Sequence, residues 1–200
     1  ALVSTIQEVA KRAGVSAGTV SRYLNGHQLK AGNQSRVEAA IEELGYRSNY
    51  LARSLRSNQS MSIGLLINNM LNHFAVSVVA QVEREMELND YNIILSGFRE
   101  DREVFIRKLE NLIDRRVDGL ILFEAIEDER ARKLIEQSGI PTISISNPLP
   151  YPCVDNMLAA NRKSCREVTR RIIHAGHARI GVLAGIQEEY VSRERLAGVL

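Results

Sequence analysis

Cysteine is nearly missing. The 200 residues hold only Cys153 and Cys165, in different predicted elements, with neither CxxC spacing nor a histidine cluster beside them. That excludes a disulfide framework and a zinc site, so two reduced structural thiols are expected. Long apolar runs are missing as well: none is long enough to cross a membrane, and Ala1-Leu2-Val3-Ser4 is too short for a signal peptide, which predicts a cytoplasmic protein. Catalytic patterns are equally scarce. His73, His174 and His177 have no nucleophile at a recognisable motif, there is no GxSxG, and no glycine-rich phosphate loop follows a strand. The sequence therefore predicts no enzyme, no cofactor and no metal.

Charge of one sign is short overall, at net +2, yet it is unevenly placed. Through Ser60 eight cations (Lys11, Arg12, Arg22, Lys30, Arg36, Arg47, Arg53 and Arg56) face four carboxylates (Glu8, Glu38, Glu42 and Glu43), a net +4 that leaves −2 for the remainder. A basic N-terminal part is the footprint of a nucleic-acid binder. The acidic runs Glu83-Arg84-Glu85 and Glu127-Asp128-Glu129-Arg130 alternate with arginine and read as solvated helix faces.

Residues 5–26 read as two short helices folded across a turn. Ile6, Val9, Ala10 and Ala13 recur at three and four residues, Gly14 supplies the turn, and Val15 is an apolar plug. Ser16 is a ready N-cap for a second helix whose inner face is Val20, Tyr23 and Leu24 and which stops at Asn25-Gly26. Ala17, Gly18, Ser21 and Arg22 are then left looking outward. Small residues let such a helix end approach another surface closely, its free N–H groups and the hydroxyls of Ser16, Thr19 and Ser21 suit phosphate oxygens, and an arginine one turn on reaches guanine O6 and N7. This is a helix-turn-helix arrangement for double-stranded DNA. A third helix follows a loop over 27–33, with Asn33 as its expected N-cap, Val37, Ala40, Ile41 and Leu44 on one face and Gly45 as its stop.

The string from Ile6, Glu8-Val9-Ala10 and Ala13-Gly14-Val15-Ser16 through Thr19-Val20-Ser21-Arg22 to Leu24-Asn25-Gly26 closely resembles the headpiece of the lactose-repressor (LacI/GalR) family of bacterial transcription regulators. The likeness continues through Arg36–Arg47 and Asn49–Leu55 into the rest of the chain. It implies DNA contacts from Thr5, Ser16, Ala17, Gly18, Thr19, Ser21, Arg22 and Asn25. It also implies a hinge helix whose Asn49, Ala52, Arg53 and Leu55 enter the minor groove, Leu55 as a wedge between base pairs. Two departures stand out: the 27–33 loop is one residue shorter than usual without the usual proline-containing helix start, and Ser48 replaces the usual proline.

Beyond Asn58-Gln59-Ser60 the pattern changes to apolar runs at Ile63–Ile67, Ile93–Leu95, Gly119–Phe123, Thr142–Ile145 and Ile180–Leu183. Helical stretches lie between them, over Phe74–Leu88, Arg102–Arg115, Asp128–Gln137 and Asn156–His174. This alternation predicts an α/β parallel-sheet core with ligands gathered beyond the carboxyl ends of the strands. The predicted organisation is a small all-α headpiece over 1–47, hinge and linker over 48–61, a first core lobe over 62–155 and the start of a second lobe over 156–200. The chain looks like a portion of a longer one, since Val199-Leu200 falls inside a predicted helix.

The resemblance implies a core of periplasmic-binding-protein type, with a small-molecule effector, a sugar or nucleoside, held between two lobes. Asn69, His73, Phe74, Ser146 and Arg195 match effector-contacting positions. The protein expected is a repressor acting at the nucleoid on a pseudo-palindromic operator, as a homodimer or a tetramer. Two other readings compete: a sugar-binding receptor, and an α/β enzyme with an accessory DNA-binding domain.

Overall fold

A computed structural model describes residues 4–24, 26–46, 59–70 and 73–200. The chain divides into two compact units, Ala1–Asn58 and Gln59–Leu200.

In the first unit, helix α1 (Ile6–Ala13) begins at Thr5 with a capping box and ends at Gly14, whose φ of +65° lets its N–H reach back to the carbonyls of Ala10 and Lys11. Helix α2 (Ala17–Leu24) starts after Ser16, which acts as the expected cap by accepting from the Thr19 N–H at 3.2 Å. Helix α3 (Ala31–Glu43) begins earlier than expected. Its N-cap is Lys30, without a side-chain hydrogen bond, and Asn33 lies inside the first turn, where its Oδ1 accepts from Arg36. Asn33 is therefore not the cap. Val9, Ala10, Ala13, Val20, Val37 and Ala40 form the buried centre, and Ile6, Val15, Tyr23, Leu24, Ile41 and Leu44 close around it.

The second unit is built on β1 (Ser62–Ile67), α4 (His73–Leu88), β2 (Asn92–Gly97), α5 (Arg102–Asp114), β3 (Gly119–Phe123), α6 (Glu129–Ser138), β4 (Thr142–Ile145), β5 (Val154–Met157), α7 (Asn161–His174) and α8 (Tyr190–Val199). The five strands form one parallel sheet in the order β2-β1-β3-β4-β5. Both faces of the inner strands are buried, which is why they read as continuous apolar runs. On one face Leu66, Leu120 and Leu122 pack with Phe105, Leu109 and Leu112 of α5 and Ala131 and Ile135 of α6. On the other, Leu65, Ile67 and Phe123 pack with Ala75 of α4. Gly64 is needed for the close approach of α5, because a Cβ there would stand 2.8 Å from Leu112 Cδ1.

Two expectations fail. Asn156 was expected to open a helix, but it lies in edge strand β5, and the helix starts at Asn161. The Asn156 side chain instead imitates a strand neighbour, accepting from the Leu149 N–H at 2.8 Å and donating to the Leu149 carbonyl at 2.9 Å. The run Ile180–Leu183 is not a strand: among the described residues no strand lies beside it, and Leu183 is fully exposed. An apolar run becomes a buried strand only where neighbours offer ladder partners and cover. Neither cysteine is paired.

Candidate functional site

Two surfaces carry the residues singled out in the sequence, one in each unit. On the first, Gly18 and Arg22 stand exposed one turn apart on α2 while Val20 is wholly buried. Ser21 is half-buried between them. Arg22 has no ion-pair partner among the described residues, so its guanidinium is available to an outside acceptor. A Cβ on Gly18 would meet only Ser16 Oγ, at 3.7 Å, which leaves its outward side open. Ala17 does not look outward as expected: it is half-buried and packs on the headpiece core, because it occupies the inner edge of the first turn.

The hydroxyls are less free than their positions suggest. Thr5 Oγ1 accepts from the Glu8 N–H at 3.3 Å and donates to Glu8 Oε2 at 3.1 Å, while Ser16 Oγ and Thr19 Oγ1 lie 2.9 Å apart. Helix capping occupies part of their capacity, and exposed lone pairs remain on one side. The angle of α2 is fixed through Tyr23, whose hydroxyl donates to Glu38 Oε1 at 2.9 Å, an atom also held by Gln34 at 3.0 Å. That carboxylate bond pushes the Tyr23 hydroxyl pKa above its ordinary value. Arg12 and Glu43, 2.6 Å apart, join α1 to the end of α3. Asn25, Asn49, Ala52, Arg53 and Leu55 lie outside the described residues.

The second surface is the carboxyl edge of the sheet. Phe74, at the start of α4, is 56% exposed with its ring 6.1 Å from that of buried Phe123, so it neither enters the core nor stands alone. His73 and Asn69 are exposed beside it in sequence. Ser146 follows β4 at φ +74°, its N–H donating to the Met157 carbonyl at 3.3 Å. Arg195 on α8 makes no salt bridge among the described residues; its Nε donates to Asn161 Oδ1 at 3.0 Å, which steers an exposed guanidinium.

Sequence reasoning missed Glu124, and it placed Asn68 in the amide-rich loop after the first apolar run without counting it among the effector-contacting positions. Glu124 directly follows β3 at φ +55° and is half-buried. Burial pushes its carboxyl pKa up, with a further push from Glu189 and Glu100, against a hydrogen bond from Asn68 that holds it down. Asn68 is itself anchored, its N–H on the Phe123 carbonyl at 3.2 Å and its Oδ1 accepting from the Glu100 N–H at 2.7 Å. The available signal was position alone, since Glu124 stands at the carboxyl end of the third apolar run. Carboxylates and amides accept from hydroxyl groups, and exposed phenyl rings cover the apolar faces of sugars or bases. Among the described residues no group of side chains could hold a metal ion, and no helix is long and apolar enough to cross a membrane.

Residues 5–49 match the family model described as bacterial regulatory proteins, lacI family, and residues 60–200 match that of periplasmic binding proteins and the sugar binding domain of the LacI family. The chain is 33% identical to the ribose operon repressor of Escherichia coli K12, across 98% of this chain and 60% of that protein. To catabolite control protein A of Priestia megaterium it is 30% identical, across 96% of this chain and 58% of that one. Among solved structures, the lac repressor dimer bound to operator and the anti-inducer ONPF aligns over 99% of this chain and 61% of its own, with a TM-score of 0.83 at 28% identity. The regulator CelR in its cellobiose complex aligns over 98% of this chain and 60% of its own, with a TM-score of 0.60. The chain thus spans about 60% of the length of the curated relatives it matches. It belongs to the LacI family of bacterial regulatory proteins.

Proposed function

We propose that the protein is a sequence-specific DNA-binding transcriptional regulator, a repressor of metabolic genes controlled by a small-molecule effector. The observation that carries the reading is the face of α2, where exposed Gly18 and unpaired Arg22 stand on a helix whose opposite side is locked into a three-helix core. An exposed arginine on a rigid helix presents a fork to guanine in the major groove, and a glycine beside it permits close backbone approach. Thr5, Ser16, Thr19 and Ser21 supply phosphate contacts, and Asn25 with the hinge residues Asn49, Ala52, Arg53 and Leu55 completes the DNA surface.

The regulator acts as a homodimer on a pseudo-palindromic operator in the cytoplasm, bound to the nucleoid, and does no chemistry itself. Its effector is a sugar or nucleoside, taken at the carboxyl edge of the sheet by Asn69, His73, Phe74, Ser146 and Arg195, with Asn68 and Glu124 adding acceptors. Effector binding favours one arrangement of the core and so biases DNA affinity.

Selection from a pool of randomised duplexes, followed by sequencing, tests this reading. Enrichment of a roughly symmetric motif is expected; binding without enrichment overturns it. Turnover of a tightly held small molecule would favour an enzyme instead.

A further inference from the structure

The chain enters the sheet of the second unit through Ser60, Met61 and Ser62, and one carboxylate holds that entry. Asp118, the residue before β3, accepts the Ser60 N–H on Oδ1 and the Met61 N–H on Oδ2, each at 2.8 Å. Its own N–H donates to the Ser62 carbonyl at 2.8 Å. Met61 holds φ at +46°, a left-handed conformation that β-region strand residues avoid, and its carbonyl accepts from the Asn92 N–H at 2.9 Å. Ser62 Oγ donates to the Ser60 carbonyl at 3.0 Å, closing the turn. The paired register with β2 and β3 begins at Ser62 and Ile63, so the two N–H groups that Asp118 holds belong to the backbone just before it.

A charged acceptor that takes two consecutive N–H groups fixes both the position and the direction of the backbone it holds. The backbone held here is the first stretch of the second unit, and the residues before it in sequence lead to the helix-turn-helix. Resting on the functional reading above, we propose that Asp118 is a positioning residue for DNA binding: its carboxylate fixes the position and direction of the backbone at Ser60 and Met61, where the second unit begins. Any displacement of this end of the β1–β3 pair is then passed to the backbone at Ser60 and Met61 through two short, charge-assisted bonds.

The test uses full-length protein and the duplex that the wild type selects, comparing wild type, Asp118→Asn and, as a control, Ile135→Val, which thins the core without touching the clamp. Asparagine has one acceptor oxygen and no charge. Amide exchange at Ser60 and Met61 should quicken by about tenfold or more in Asp118→Asn. Operator affinity should fall at least about fivefold, while Ile135→Val keeps it within about twofold despite its own loss of thermal stability. Asp118→Glu, which keeps the charge but displaces it by a methylene, should fall between the two and serves if the asparagine variant does not fold. Faster exchange with unchanged operator affinity overturns the role, as does an equal loss in Ile135→Val. A wild type that selects no duplex overturns the functional reading and this role together, whereas a wild type that selects one beside an unaffected Asp118→Asn overturns this role alone.

Discussion

Arg22 and Glu124 show how one side chain's surroundings decide what it can do. Arg22 is exposed, with no ion-pair partner among the described residues, and Gly18 and Ser21 on its side of the helix are small, so on the proposed reading neither offers a second long side chain to its base pair. Arg22→Ala should cost about 1 to 3 kcal/mol of operator affinity and flatten preference at one position per half-site. Fluorescence anisotropy on single-substituted duplexes measures it, and an equal loss on random DNA would reassign Arg22 to the phosphates. Glu124 is the reverse case, a half-buried carboxylate whose protonated form the fold favours. A carboxyl pKa raised in the native state means that folding takes up protons. The contribution is fully favourable below the ordinary Glu pKa and is lost as pH rises through the raised value. Glu124→Gln should therefore melt with the wild type in acid and above it near neutrality. A gap that widens toward acid would contradict the assignment.

Among the elements, α6 shows how a single cap carries both local and tertiary work. Asp128 is buried, its Oδ1 accepting from the N–H groups of Arg130 at 2.6 Å and Ala131 at 3.3 Å, its Oδ2 2.9 Å from Arg102 of α5. Burial pushes its carboxyl pKa up, but those N–H groups and the guanidinium groups of Arg102 and Arg130 outweigh it and hold the carboxyl below its ordinary value. Asp128→Ala should cost about 1 to 2 kcal/mol in urea unfolding from the lost cap. The wild-type advantage should fade as pH falls through the depressed value. The helix start at Asp128 was legible in the sequence, though its cluster read as a solvated face and the structure buries Asp128; four of the five strands were legible too, because buried parallel strands are apolar throughout and helices carry three-to-four spacing. Strand β5 was not, since Val154-Asp155-Asn156-Met157 has only Val154 buried and relies on Asn156 reaching the Leu149 backbone, a contact between residues that no periodicity marks. The start of α3 was missed for a related reason: Lys30 offers no side-chain cap, so the sequence pointed to the nearest residue that could, Asn33.

For the whole molecule, charge separates along the chain. The first sixty residues carry +4 and the rest −2. Operator affinity should therefore fall steeply with salt, each phosphate neutralised contributing a slope of about −0.9 in log K against log salt. The slope should come from the first unit alone, so a protein lacking residues 1–58 should bind DNA with no measurable salt term. Retained DNA binding in that truncation would place the cationic surface elsewhere. The candidate ligand face was only half legible at this scale. Asn69, His73, Phe74 and Ser146 stand at or near strand ends that apolar runs announce, Arg195 follows a run that forms no strand, and Asn68 and Glu124 matter through a backbone turn and a burial that the sequence does not display.

The two-sidedness of α2 has a further bearing, on how such a protein changes over generations. Val20, Tyr23 and Leu24 are committed to packing, and the Tyr23 bond to Glu38 fixes the helix from behind. Gly18 and Arg22 are exposed, and neither belongs to the buried headpiece core. Replacements on that outer side leave the headpiece core untouched, so on the proposed reading one inherited headpiece can be readdressed to new stretches of genome by a handful of codons, and a duplicated copy can drift to a different regulon before its core has altered.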